Sequence, residues 1–474
     1  MAIFIIGAET LFLYFLEVAK RLAIKYDKFK PMKSIILFKN TFLFLFVTVF
    51  TGLSFVCNAQ SKSKVKNQKS KDYETEMQTG AGQPEIYLPL LKGKKVGILT
   101  NQTGILLLSK FSNVSLGRNR HGEAIKIDTV HLVDYLIENK INLKKIYAPE
   151  HGFRGTADAG ELIKDGKDTK TGLPIISLYG NNKKPTKEQL AGIDVMIFDL
   201  QDVGARFYTY ISSLHYLMEA CAENNIPLIV LDRPNPKGSA VDGPVLEMKN
   251  KSFVGMHPIP VLHGMTIGEY AQMINGEKWL MNGVQAKLTV IPCKNYNKGM
   301  HYSLPVKPSP NLPNDTAINL YTSLCFFEGT NVSMGRGTEK QFQIYGSPFL
   351  KNMDFTFTPK PNEGAKDPVH NGVKCFGEDL TIQVLPDEFA QRCEVAPSTN
   401  YVNGLTLQWL LKAYKNTDNK EKFFNNFFIK LAGTDKLQKQ IEKGLTEKEI
   451  RSTWKAGIED FKETRKKYLL YTDF

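Results

Sequence analysis

Apolar and polar positions fall in alternating blocks from residue 95 onward. Four apolar runs occur at residues 95–100, 143–148, 194–198 and 226–231, and each ends in polar loop residues. Short runs rich in Val, Ile and Leu predict strands buried on both faces. Between them, residues 129–139, 186–191 and 212–225 carry helical patterns. The alternation predicts an α/β fold with a Rossmann-like parallel sheet covered by helices on both faces. From about Lys251 the alternation weakens. Thr266 followed by Glu269 fits a capping box that opens a helix over 267–275, which makes Glu269 structural. Residues 405–414, 423–431 and 447–471 read as packing helices, with Trp454 and Phe461 on the buried stripe. The expected division is a parallel-sheet domain at 85–250 and a smaller α/β domain with C-terminal helices at 251–474.

The polar residues at the strand ends carry the functional signal. In a parallel sheet the carboxyl ends of the strands share one edge, where ligands bind. Asn101 follows the first predicted strand. Glu150, His151 and Arg154 follow the second, in Pro149-Glu-His-Gly-Phe-Arg-Gly155. Asp199, Asp202 and Arg206 follow the third, and Asp232, Arg233 and Asn235 the fourth. A single Asp at such a turn is most simply a helix cap. Four such loops in a row point to one crevice of converging carboxylates, whose mutual repulsion raises pKa values and suits general-acid chemistry. Tyr208 and Tyr210 read equally as a stacking wall for a sugar ring or as packing. His263, just before the second capped turn, is a candidate ligand contact. Residues 307–313, with three prolines, form a rigid extended segment suited to lining a groove. Glu328, Asn331, Ser333 and Arg336 sit in a glycine-rich stretch that permits close approach to a ligand.

The amino terminus has a different character. Residues 32–59 read as an export signal: Met32-Lys33 and Lys39 are basic, 41–56 is apolar, and Cys57-Asn-Ala59 offers a small-residue cleavage site before Gln60. Translation is expected to start at Met32 and cleavage to follow Ala59, placing the protein in the periplasm or outside the cell. Cys57 raises a lipid anchor, against which the bulky Phe55 and Val56 count. The apolar run falls short of the roughly 20 residues of a membrane span, so no stable span is expected in the mature protein. Residues 60–84, rich in Lys, Ser and Gln, read as a tether.

The formal charge of +13 accommodates an anionic polymer. No nucleic-acid motif accompanies it. The first strand lacks a G-x-G-x-x-G or P-loop sequence, so no nucleotide cofactor is expected. Cys221, Cys293, Cys325, Cys375 and Cys393 are scattered and odd in number, which fits neither a disulfide framework nor a metal site. Nothing in the sequence sets an oligomeric state.

Six motifs in order carry a resemblance: Thr100-Asn-Gln-Thr-Gly104, Pro149-Glu-His-Gly152, Asp199-Leu-Gln-Asp-Val-Gly-Ala-Arg206, Asp232-Arg-Pro-Asn-Pro236, Glu328-Gly-Thr-Asn331 and Lys430-Leu-Ala-Gly-Thr-Asp435. Together they resemble the exo-β-N-acetylmuramidase family of secreted bacterial proteins, across about residues 88–474. The resemblance implies a Rossmann-like domain plus a smaller α/β domain with the active site in the cleft between them. It implies a glycoside hydrolase that releases N-acetylmuramic acid (MurNAc) from the non-reducing end of peptidoglycan-derived MurNAc-GlcNAc chains, without a cofactor. Glu150 matches the family's catalytic glutamate. The expected roles are Glu150 as general acid, His151 tuning it, and Asp202 as the second carboxylate, with Asp199 and Asp232 behind. Arg206, Arg233 and Arg336 are candidates to hold the lactyl carboxylate of muramic acid. Two alternatives stand beside this: a non-catalytic binder of cell-wall fragments, and a hydrolase for another acidic amino sugar.

Overall fold

The computed structural model describes residues 77–107, 129–153, 165–381 and 404–473. The signal region, most of the tether, Arg154 and Cys393 therefore lie outside the described residues. Strand β1 (Lys95–Thr100) is followed by an antiparallel pair, β2 (Ile105–Leu107) and β3 (Thr129–His131). Strands β4 (Asn142–Ala148), β5 (Gly166–Lys167), β6 (Pro174–Ser177), β7 (Val195–Asp199) and β8 (Leu228–Leu231) come next. Strands β9 (Val241–Asp242) and β10 (Leu262–His263) pair with each other, and β11 (Leu288–Ile291) returns to the main sheet. That sheet has the order β11-β8-β7-β1-β4-β6-β5, parallel except for β5 at its edge.

The period-2 arrangement of the strands divides the core. Leu99, Met196, Phe198, Leu228 and Val230 pack into one cluster. Val96, Ile98, Val195, Ile197, Ile229 and Leu231 pack into the other. Successive residues of one strand thus serve opposite faces, as expected for a doubly covered sheet. Helices Pro84–Leu91 and Leu132–Glu138 supply residues to the second cluster, and Tyr210–Glu223 and Ile267–Gly276 to the first.

The second, smaller part of the chain contains helix Asp315–Leu324, an antiparallel sheet of β12 (Ile344–Ser347), β13 (Phe355–Phe357) and β14 (Cys375–Asp379), and the C-terminal helices. These residues share the first core cluster, which runs on to Trp454 and Phe461.

Several expectations need correction. The main sheet does not end at 250, since β11 pairs with β8. The helix expected from 129 begins at Leu132, because residues 129–131 form a strand whose last member, His131, caps the helix through Nδ1. The expected tether is tied down before residue 84. Gln78 bridges to Lys294, and the Gly80 N–H donates to the Asp232 carbonyl at 2.8 Å. A Cβ at Gly80 would stand 2.4 Å from the Ile291 carbonyl oxygen, so only glycine lets the backbone cross there. Strands β6 and β11, helix Asp315–Leu324 and the antiparallel sheet carry too few residues of clear period to stand out in the sequence.

The C-terminal tail closes the edge at β8. The Tyr471 hydroxyl donates to Asp232 Oδ2 at 2.5 Å and accepts from the Cys293 N–H at 2.7 Å. Tyr471→Phe leaves the buried Cys293 N–H without that acceptor and is expected to cost about 1–3 kcal/mol, read as a lowered midpoint in chemical unfolding. An unchanged midpoint would show that the tail is not part of the cooperative unit.

Candidate active site

The strand-end charges are mostly consumed inside the protein. The Arg233 guanidinium grips Asp199 with two bonds, Nε to Oδ1 at 2.6 Å and Nη2 to Oδ2 at 3.0 Å, and also donates to the Ile105 carbonyl. Both side chains are buried. Asp232 is buried too. Its Oδ1 accepts from the N–H groups of Gly268 and Arg233, and its Oδ2 from Thr266 and Tyr471. It thereby meets the N-terminus of helix Ile267–Gly276, and burial raises its carboxyl to about 6. Arg206 is wholly buried and donates to the carbonyls of Pro244, Ile259, Leu431 and Ala432. The last two are carbonyls at the C-terminus of helix Phe427–Ala432, which need donors.

Asn101 shapes its own loop. Its Oδ1 accepts from the Thr103 N–H and hydroxyl, and its Nδ2 donates to the Tyr210 hydroxyl at 2.6 Å. Asn235 accepts from the Lys237 N–H and donates to the Met265 carbonyl. Asn101, Asp199, Arg206, Asp232, Arg233 and Asn235 were expected to face the crevice; the structure instead uses them to build it. Arg206 and Arg233 have no face to offer a lactyl carboxylate.

Tyr208 is packed rather than displayed. Its hydroxyl donates to the Pro308 carbonyl at 2.8 Å, and its ring meets Tyr210 and Tyr321 edge-on. Gln102 also donates to the Lys307 and Pro308 carbonyls. The proline-rich segment thus lies against the loop after β1 and the start of helix Tyr210–Glu223.

Glu150 differs from its neighbours. It remains partly exposed, and both of its oxygens are held by hydroxyls: Tyr179 donates to Oε1 at 2.8 Å and Thr209 to Oε2 at 2.6 Å. A hydroxyl donates to a carboxylate and accepts from a carboxylic acid, so this pair positions Glu150 in either state. Its turn is unusual. The Gly152 N–H closes on the Pro149 carbonyl, and His151 takes φ +70, backbone that glycine normally occupies. The ring of His131 meets Phe153 edge-on at 5.1 Å and bonds the Asn101 carbonyl, linking the loops after β1 and β4.

Tyr179, Thr209 and His131 were not foreseen. Tyr179 follows the apolar run of β6 as Glu150 follows β4, so the same strand-end reasoning applied to residues 174–178 would have reached it.

Asp202 and His263 form a second buried group. Asp202 Oδ2 accepts from the Gly204 N–H at 2.7 Å and lies 3.8 Å from His263 Nε2. The Met265 N–H donates to His263 Nδ1, so the neutral ring carries its proton on Nε2, towards Asp202. Asp202 Oδ1 and His263 Nε2 have no hydrogen-bond partner among the described residues. Farther along the chain, Arg336 Nη2 bonds Glu328 Oε1 at 2.6 Å and its guanidinium lies over Phe342, both side chains being partly exposed. The carboxamide of Asn331 is buried with neither atom hydrogen-bonded, while its carbonyl accepts from Ser347 and bonds His370.

Comparison with known proteins identifies the assembly. Residues 96–316 match the family model described as exo-β-N-acetylmuramidase NamZ, N-terminal, and residues 319–471 the C-terminal model of the same name. The chain belongs to the exo-β-N-acetylmuramidase family. It is 37% identical to the peptidoglycan β-N-acetylmuramidase NamZ of Bacillus subtilis strain 168, over 90% of this chain and 99% of that one. It is also similar to two solved DUF1343 family proteins of Bacteroides fragilis NCTC 9343. One is 44% identical with a TM-score of 0.71 and the other 27% identical with a TM-score of 0.64; each alignment covers 84% of this chain and all of the neighbour. Membership of this family makes the chain a glycosidase.

In a glycosidase of this family the state of each carboxyl group matters. Burial raises Asp202 to about 7, opposed by the N–H groups of Gly204 and Val203. Burial lowers His263 to about 3, aided by the positive charges of Arg465, Lys298 and Arg206. With Asp202 raised from 3.8, the folded protein holds a proton there that the unfolded chain has lost. Its contribution to stability is present below the unfolded value and falls as pH rises between about 4 and 7, by up to about 1.4 kcal/mol per pH unit. His263 acts in the opposite sense. Asp202→Asn removes the first effect alone. Its stability relative to the unsubstituted protein is expected to rise from pH 4 to pH 7, measured by unfolding at matched ionic strength. A difference independent of pH would show that Asp202 is ionised in the fold.

Proposed function

We propose that this chain releases N-acetylmuramic acid from the non-reducing end of peptidoglycan-derived MurNAc-GlcNAc chains, with Glu150 protonating the departing glycosidic oxygen. The observation that carries this is the contrast at the sheet edge. Asp199 and Asp232 are saturated by internal donors, whereas Glu150 is partly exposed and held by two hydroxyls that suit either protonation state. A general acid must give up its proton, and be reprotonated for the next turnover, without leaving its position. Tyr179 and Thr209 fit that requirement, and Tyr179→Phe is expected to lower kcat through misplacement of Glu150.

Asp202 is the second carboxylate of this proposal. Its support is the unpartnered Oδ1, the neighbouring His263 and a burial that leaves the group near neutrality. Tyr210 lies near both carboxylates, since each opposes ionisation of its hydroxyl. The reaction places the enzyme in the turnover of cell-wall fragments. The export signal at residues 32–59 supports a periplasmic or secreted location, and the first residue of the mature chain, read by amino-terminal sequencing, is then Gln60.

The assay is release of free MurNAc from a MurNAc-GlcNAc disaccharide and from a chromogenic β-MurNAc glycoside. Glu150→Gln is expected to lose on the order of 10²-fold or more in kcat; near-normal turnover by that variant sinks the assignment. Asp202→Asn is expected to lose a similar factor on both substrates. If it turns over normally, the N-acetyl group of the substrate takes the second role.

A further inference from the structure

Three neighbouring aromatic rings, Tyr179, Tyr216 and Phe253, belong to neither hydrophobic core, and one of them, Tyr179, bonds Glu150. All three are partly exposed. Tyr179 comes from the loop after β6, Tyr216 from helix Tyr210–Glu223, and Phe253 from the tight turn bridged by Ser252 and Gly255. Phe253 neighbours both others: it lies 6.3 Å from Tyr216 and nearly parallel to it, and 6.1 Å from Tyr179, whose ring is tilted by 57°. Its carbonyl is fixed by the Ser212 hydroxyl at 2.7 Å. Tyr179 joins this group directly to the candidate acid, through its 2.8 Å bond to Glu150.

A cation stands over the same rings. Lys183 Nζ lies 5.1 Å from the centre of Phe253 and donates to the Gly180 carbonyl. No carboxylate among the described residues pairs with it. Its neighbour Lys184 is committed to Glu219 and Glu223 at 2.8 and 2.7 Å, and so serves the fold.

We propose that Phe253 and Tyr216 form the platform on which the muramic acid ring of the substrate stacks, that the tilted Tyr179 ring walls it on the Glu150 side, and that Lys183 holds its lactyl carboxylate. The inference rests on Glu150 acting at the adjoining bond. The negative faces of aromatic rings attract the polarised C–H groups of a pyranose, as they attract other positive edges. A platform fixes the plane of the sugar, and a charge beside it selects one substituent, the usual division of labour in a ligand site. The charge complements the substrate: muramic acid bears a carboxylate where N-acetylglucosamine has a hydroxyl. Arg206 and Arg233 are consumed by the fold, Arg336 is paired with Glu328, and Lys183 takes the place expected of an arginine.

The test compares a chromogenic β-MurNAc glycoside with its lactyl methyl ester, which keeps the shape and removes the charge. The unsubstituted enzyme is expected to prefer the acid in KM. Lys183→Met is expected to reduce the acid-over-ester preference about tenfold, a loss of roughly 1.4 kcal/mol, with KM for the ester unchanged and kcat within about threefold. Lys183→Arg restores the preference. Phe253→Leu raises KM for acid and ester together. An undiminished preference in Lys183→Met overturns the carboxylate assignment, and an unchanged KM in Phe253→Leu overturns the platform. The two readings fail separately. An active Glu150→Gln removes Glu150 as the acid while the acid-over-ester ratio still reports on Lys183. An inactive Glu150→Gln with an undiminished ratio in Lys183→Met keeps the acid and removes the platform's cation.

Discussion

The carboxyl edge of the sheet depends on one buried pairing, the two-bond grip of Arg233 on Asp199. A charge removed from water at this depth is stable only when its partner and further donors are in place, and breaking such a pair costs several kcal/mol. Arg233 meets these terms by joining three loops. Its side chain binds Asp199 at the end of β7 and the Ile105 carbonyl beyond β1, while its own N–H caps Asp232 at the end of β8. Those three strand ends are locked, and the loop after β4 stands beside them. Glu150 is in that loop. The catalytic candidate is the strand-end carboxylate that stays partly exposed and takes a hydroxyl on each oxygen.

The smaller part of the chain completes this edge. Arg206, after β7, satisfies carbonyls at the end of helix Phe427–Ala432, and Tyr471 reaches back to Asp232. The first core cluster runs through both parts. The two halves of the chain therefore do not meet as finished surfaces. Each contributes polar groups that the other needs in order to bury its own.

This is why the fold was legible in the sequence and the site only partly so. Strands β1, β7 and β8 announce themselves by short apolar runs, β4 by its apolar end Ile146-Tyr-Ala148, and the capped turn at Thr266 and Glu269 by local spacing. The placing of polar residues just after strands was equally local, and it pointed to Glu150 and Asp202. Whether a given carboxylate is spent or available depends on partners far away in the chain. Asp232 is saturated by Tyr471, and Arg206 by Leu431 and Ala432, across separations of 239 and more than 220 residues. No spacing rule reaches that far. Thr209 escaped for the same reason, being an ordinary residue until the fold sets it against Glu150.

The turn that presents Glu150 carries its own evidence. His151 sits at φ +70, where a side chain costs on the order of 1 kcal/mol or more and glycine would cost little. Gly152 follows in the same region of backbone space, so the chain holds two consecutive left-handed residues immediately after Glu150. The strain is tolerated because the surroundings over-determine it: Phe153 is pinned by the ring of His131, and Glu150 by Tyr179 and Thr209. Rigid anchors on both sides of a strained residue hold the carboxylate to a narrow position. Proton transfer to a glycosidic oxygen requires such a position, because an error of about 1 Å is enough to cost 10²-fold in rate.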